Sequence, residues 1–207
     1  MNKVKLDRPT PELVDAAREK FDKEDEAVEQ GLKELFAQFP SNTKLAHVLI
    51  KVAALNTLYS TNIFAVRKVA LAICAKGQEI DDMIAKAIPE VVEMVARVNV
   101  GAEQKGRYNY SFATKYCSWH NSEQYPIWDS RVDRYLYHLQ KQDSFAPAFK
   151  KHDYIWTYSN FREVVIAFRR HFGLEQFSFK ELDKFMYEYG GPLPAPTTPD
   201  DPSSLPQ

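Results

Sequence analysis

The residue that small stapled folds and many metal centres depend on, cysteine, is nearly missing here. The 207 residues hold two cysteines, Cys74 and Cys117. They lie far apart, without the Cys-x-x-Cys spacing of zinc sites and redox motifs, so no disulfide framework and no cysteine-ligated metal is expected. Both read as small buried hydrophobes in a reduced, cytoplasmic protein. Long apolar runs are missing too: none approaches the roughly 20 residues of a membrane span. Met1–Arg8 lacks the apolar core of a signal peptide, so a soluble protein with no membrane partner is expected. The formal net charge is only -1, which excludes any argument for nucleic-acid binding from total charge and leaves local clusters to carry it.

What the chain does have is helix-forming sequence. Its hydrophobic content of 44% is enough for one sizeable core. Glu12 opens a run to Phe39 rich in Ala, Glu, Lys and Leu, with the acidic cluster Asp22, Glu24, Asp25 and Glu26 on a solvated face. Ser41 and Asn42 offer caps for an apolar helix in which Leu45, Val48, Leu49, Val52, Leu55 and Leu58 recur at helical spacing. Tyr59-Ser60-Thr61-Asn62-Ile63 interrupts it before Val66, Val69, Ala70 and Ile73 resume the pattern. Gly77 reads as the stop of that second helix, Ile80–Ala87 as a short helix, and Pro89 as the start of another reaching about Val100. Gly101–Asn109 breaks the pattern with Lys105, Gly106 and Arg107, a basic turn suited to a phosphate or to plain solvation. Tyr154–Phe172, stopped by Gly173, and Phe179–Tyr189 complete the helices. The expected architecture is all-α: a compact multi-helix domain over residues 1–191, followed by a disordered Pro/Ser/Thr-rich tail over 192–207. There is no internal repeat and no convincing run of strands.

The stretch Ser111–Leu139 concentrates the chemistry. Phe112–His120 is helix-compatible, Asn121–Pro126 is turn-rich, and Asp129 stands at the start of the next helix. A carboxylate there is stabilised in its ionised form by unpaired backbone amides and the helix dipole, which suits a cap and an electrostatic catalyst alike. Lys115 either snorkels to solvent from an aromatic helix or is a desolvated amine with a task. Trp119, His120 and Trp128 are either core aromatics or walls of a base pocket.

The order of these parts, an apolar helix with a polar turn, short helices, a lysine-bearing helix and an aspartate at the next helix start, resembles the helix-hairpin-helix DNA glycosylase superfamily. The likeness is to its 8-oxoguanine DNA glycosylase branch. Ala113-Thr114-Lys115 looks like the motif of the nucleophilic lysine, and Pro126-Ile127-Trp128-Asp129-Ser130-Arg131-Val132 like that of the catalytic aspartate. Tyr59–Ile63 resembles the loop that fills the gap left by an extruded base, with Asn62 the best single match and Ser60 and Thr61 beside it. The hairpin departs from the family pattern, Gly106 standing alone.

The resemblance implies an all-helical DNA glycosylase with lyase activity, using Lys115 and Asp129. It further implies a pocket of Trp119, His120 and Trp128, with DNA contacts from Ser60, Thr61, Asn62, Lys105, Gly106 and Arg107. The partner would be double-stranded DNA with a flipped base, in repair or defence against foreign DNA, bound by a monomer with no cofactor and no metal. Breaking an N-glycosidic bond builds positive charge at the sugar, which a carboxylate stabilises, and an amine that is partly neutral can then attack to give a Schiff base. The alternatives from other classes are an inactive nucleic-acid-binding module of the same fold and a helical interaction protein.

Overall fold

A computed structural model describes residues 5–97, 108–149, 152 and 157–196, the side chain of Glu24 aside. Among these residues there are nine α-helices and no strand: α1 (Pro11–Gln38), α2 (Leu45–Leu58), α3 (Val66–Ala75), α4 (Gly77–Ala85), α5 (Val91–Ala96), α6 (Tyr110–His120), α7 (Ser130–Asp143), α8 (Tyr158–His171) and α9 (Phe179–Gly190). The protein is all-helical, as the 3.6-residue periodicity predicts. No helix among the described residues is long and apolar enough to cross a membrane. Residues 98–107 and 197–207, which hold the basic turn and most of the tail, lie outside the described residues.

The chain forms two compact units. An inserted unit comprises Glu26–Tyr125, and a split unit is assembled from Met1–Asp25 and Pro126–Pro199. The boundary falls within α1, whose 28 residues contribute to both.

In the inserted unit α2 packs on α3 and α5 on α6. The stripe Val48, Val52 and Leu55 of α2 is fully buried, whereas Leu58, expected on the same face, is 47% exposed at the helix end. Two expectations fail for a shared reason. Ser41 and Asn42 do not cap α2; its N-cap is Lys44, which makes no side-chain cap bond. Their side chains turn instead to Asp81 on α4, Ser41 Oγ donating at 2.9 Å and Asn42 Nδ2 at 2.7 Å. Gly77 is not the stop of α3 but the first residue of α4. A Cβ at Gly77 would lie 2.3 Å from the carbonyl oxygen of Asn42, so only glycine lets the Ser41–Asn42 turn approach α4 this closely. Pro89 likewise precedes its helix, whose N-cap is Glu90 and which is described as far as Ala96.

In the split unit α7 lies against α9, and a Cβ at Gly190 would come within 2.0 Å of the Arg131 carbonyl oxygen. The core is aromatic, with Tyr135, Phe161, Phe168 and Phe185 all buried. Gly173, with φ +66°, follows the end of α8 in the left-handed conformation expected of a helix stop. Ser178 and Glu181 form a reciprocal capping box at the start of α9. Glu181 also takes the Arg18 guanidinium of α1 at 2.8 Å.

Candidate functional site

Helix α6 carries the candidate nucleophile. Residues Phe112 through Ser118 are all buried, so the helix lies in the core on nearly every side and offers no face from which a lysine can reach water. Lys115 is accordingly 4% exposed and does not snorkel. Its Nζ donates to Ser111 Oγ, one turn earlier, at 2.8 Å and lies 5.6 Å from the centre of the Tyr59 ring. One turn further along, Trp119 Nε1 donates to the Tyr59 hydroxyl at 3.2 Å. Tyr59 thus joins the lysine-bearing helix to the polar turn that it opens.

That turn is braced from within α2. Asn56 Oδ1 accepts from the Ile63 amide at 2.8 Å and from the Thr61 hydroxyl at 3.0 Å, while Nδ2 donates to the Ile63 carbonyl at 3.0 Å. The bracing holds Ser60 and Asn62 at positive φ, 49° and 57°, which costs non-glycine residues energy, though asparagine tolerates it well. Ser60 and Asn62 are exposed, Ile63 is buried, and Phe64 stands 90% exposed just beyond.

His120, at the end of α6, belongs to a second cluster that the sequence reading missed. Lys51 of α2 is 0% exposed. Its Nζ bonds Asn42 Oδ1 at 2.8 Å, the Ser41 carbonyl at 3.2 Å and His120 Nε2 at 3.1 Å. The ammonium also lies 5.5 Å and 5.4 Å from the Phe36 and Tyr116 ring centres. The buried Tyr116 hydroxyl donates to the same Asn42 oxygen. Burial lowers the Lys51 pKa to about 8, the Asp81 carboxylate opposing the shift. Burial and then the Lys51 charge press His120 down to about 3. The available signal was positional: Lys51 occupies the i+3 place on the stripe Val48, Val52 and Leu55, where a charge needs partners.

Asp129 and Trp128 belong to the split unit. Asp129 is the N-cap of α7, its Oδ1 accepting the amides of Arg131 at 2.9 Å and Val132 at 3.0 Å. The segment leading to it is anchored by the Tyr158 hydroxyl, which donates to the Pro126 carbonyl at 2.9 Å. Trp128 is half-buried. The inserted unit therefore brings together Lys115, Trp119 and the Ser60–Asn62 turn, and places His120 on Lys51. Lys105, Gly106 and Arg107 lie outside the described residues. Cys117 is fully buried, which raises its thiol far above the reactive range. Among the described residues no group of three or more His, Cys, Asp or Glu side chains is arranged to hold a metal ion.

Comparison with known proteins points the same way as the unit boundary. The family model HI_0787_N, described as an N-terminal domain, matches residues 13–124, stopping just short of Tyr125, where the inserted unit ends. A Haemophilus influenzae protein named "Uncharacterized protein" is 39% identical over 149 residues, covering 72% of this chain and 69% of its own length. No solved structure matches the chain.

Proposed function

For a chain that belongs to the HI_0787_N family, we propose the activity of a DNA glycosylase with associated lyase chemistry, excising a damaged or modified base. The observation that carries this reading is the Lys115 amine, 4% exposed, hydrogen-bonded to Ser111 and facing the Tyr59 ring. Burying a charge among aromatics is costly even with a hydrogen bond to Ser111, which favours the neutral amine, and a neutral amine is suited to attack the sugar C1′ and form a Schiff base. The turn that shares Tyr59 with this lysine supplies the DNA-facing surface. Asn62 enters the gap left by the extruded base. Phe64, 90% exposed, adds an apolar wedge of the kind that unstacks base steps. Trp119 and His120 receive the base; by the glycosylase resemblance alone, Asp129 is the carboxylate assigned to the charge that develops on the sugar. The protein works as a cytoplasmic monomer on double-stranded DNA.

The reading is tested by incubating the protein with a panel of lesion-bearing and modified duplexes and identifying released bases by mass. Borohydride reduction should trap the protein covalently on its substrate, and Lys115→Gln should abolish trapping. Undiminished trapping in that variant would place the nucleophile elsewhere. A second reading, a nucleic-acid-binding module without catalysis, draws on the engagement of Asp129 as a helix cap. It requires salt-dependent duplex binding with no base release at all.

A further inference from the structure

The hydrogen bonds around Lys51 have one consistent polarity, set from Asp81. The Asp81 carboxylate only accepts, taking the Ser41 hydroxyl and both the backbone amide and Nδ2 of Asn42. That fixes the Asn42 side chain with its amide nitrogen toward Asp81 and its oxygen toward Lys51 and Tyr116. The Lys51 ammonium has three donors and no acceptor, and three acceptors surround it: the Ser41 carbonyl, Asn42 Oδ1 and His120 Nε2. His120 Nε2 must then be the unprotonated nitrogen, so the proton of the ring sits on Nδ1.

Lys51, Asn42 and Tyr116 are fully buried, whereas Ser41 and Asp81 at one end of the network and His120 at the other are partly exposed, so beyond Lys51 the network reaches the surface at this ring. Phe36 packs edge-on against it from α1 at 4.9 Å, Tyr116 lies tilted against it from α6 at 5.1 Å, and Lys51 is the charged group that touches it. Among the described residues Nδ1 makes no hydrogen bond.

We infer that Lys51 is a positioning residue: it fixes His120 as a neutral imidazole protonated on Nδ1, which offers a donor without a charge to an acceptor atom of a nucleobase. The part concerning the base rests on the glycosylase reading; the part concerning the ring does not. An uncharged donor suits a carbonyl oxygen or ring nitrogen, while a phosphate is better served by a cation. The depressed His120 pKa accords with a ring held neutral through the physiological range.

Nitrogen-15 NMR of the imidazoles in the unaltered protein decides the first part. His120 should show the Nδ1–H tautomer and no titration from about pH 8 down to about pH 5. Protonation with a midpoint near the ordinary histidine value, or the Nε2–H tautomer, would overturn it. In Lys51→Met the tautomer preference should relax and the ring should titrate at higher pH. Should that variant not fold, the spectrum of the parent still decides. Base release decides the second part, with a duplex carrying 8-oxoguanine opposite cytosine as first probe and the rest of the lesion panel after it. His120→Leu should slow release about tenfold, the equivalent of one lost hydrogen bond, while His120→Asn, whose amide replaces the Nδ1 donor, should keep most of the rate. Equal rates in the two variants remove the donor role. Absence of release from every duplex by the parent overturns the glycosylase reading and the base as ligand, and the NMR result stands apart from it.

Discussion

Tyr116 and Tyr135 are both buried at the centre of a helical core, one in each unit, and burial raises both phenols well above their ordinary range. Around Tyr135 the neighbours are rings: Phe185 at 5.3 Å and Phe168 at 6.2 Å, both edge-on, and Tyr189 at 6.5 Å. Around Tyr116 the Phe112 ring at 5.6 Å and the Phe36 ring at 5.8 Å share the space with Asn42, the Lys51 ammonium and His120. The aromatic core is held by area and shape, terms that respond gradually to substitution. The polar core is also held by a chain of donors and acceptors in which removing one member strands its neighbours. A core of the second kind is costly to build, because each buried polar group must find its partner.

The sharpest test of the contrast is to place leucine in each core. Asn42→Leu leaves the Lys51 ammonium, the Tyr116 hydroxyl and Asp81 without their shared partner and should cost about 3–5 kcal/mol. Phe168→Leu, which trims one ring from a stack, should cost about 1–2 kcal/mol. Hydrogen exchange of α2 amides against α8 amides reads each unit by itself; equal losses would erase the distinction between the cores.

Acid provides a milder test. His120 stays neutral to about pH 3 in the folded unit but takes a proton near pH 6.5 once unfolded. Its contribution is therefore whole above pH 6.5 and falls as the pH drops toward 3, by up to about 1.4 kcal/mol per pH unit. Lys51 has the same sign at the other end: its folded pKa of about 8 lies below the unfolded 10.5, so stability should climb as pH rises between them. Urea midpoints followed in α2 across pH 4–7 should flatten in His120→Phe, and an unchanged slope would remove His120 as the source.

The smallest stability effect is expected in the split unit. Asp129→Asn keeps an oxygen for the amides of Arg131 and Val132, so about 1 kcal/mol or less should be lost and melting should fall by only a few degrees. Base release should nonetheless slow at least about a hundredfold if the carboxylate stabilises the developing charge. A variant that binds and cleaves like the parent reduces Asp129 to a cap.

The helices were legible because each carries its own periodicity, and Asp129 and Gly173 were legible because a cap and a stop are local. Ser41, Asn42 and Gly77 were misjudged because their side chains, or the lack of one, answer to contacts about 35–40 residues away rather than to the nearest helix end. Lys51 was passed over because it sits in an apolar stretch whose pattern reads as complete without it. Lys115, by contrast, was found from its aromatic neighbours, yet the hydroxyl of Ser111 and the ring of Tyr59 that hold it come from packing. Asn56, which shapes the Tyr59–Ile63 turn, gave no signal at all, since an asparagine near a helix end is ordinary.

The split of α1 between two units has a consequence for the order in which the chain is made. The partners of Arg18 and Asp22 are Glu181 and Lys184, which lie 163 and 162 residues later. At elongation rates of about 5–20 residues per second, the front of α1 waits roughly ten to thirty seconds for them. Every partner within Glu26–Tyr125 emerges sooner, so the inserted unit is expected to close while Arg18 and Asp22 still lack Glu181 and Lys184. The first turns of α1 are thus the segment of the nascent chain that a chaperone would meet exposed.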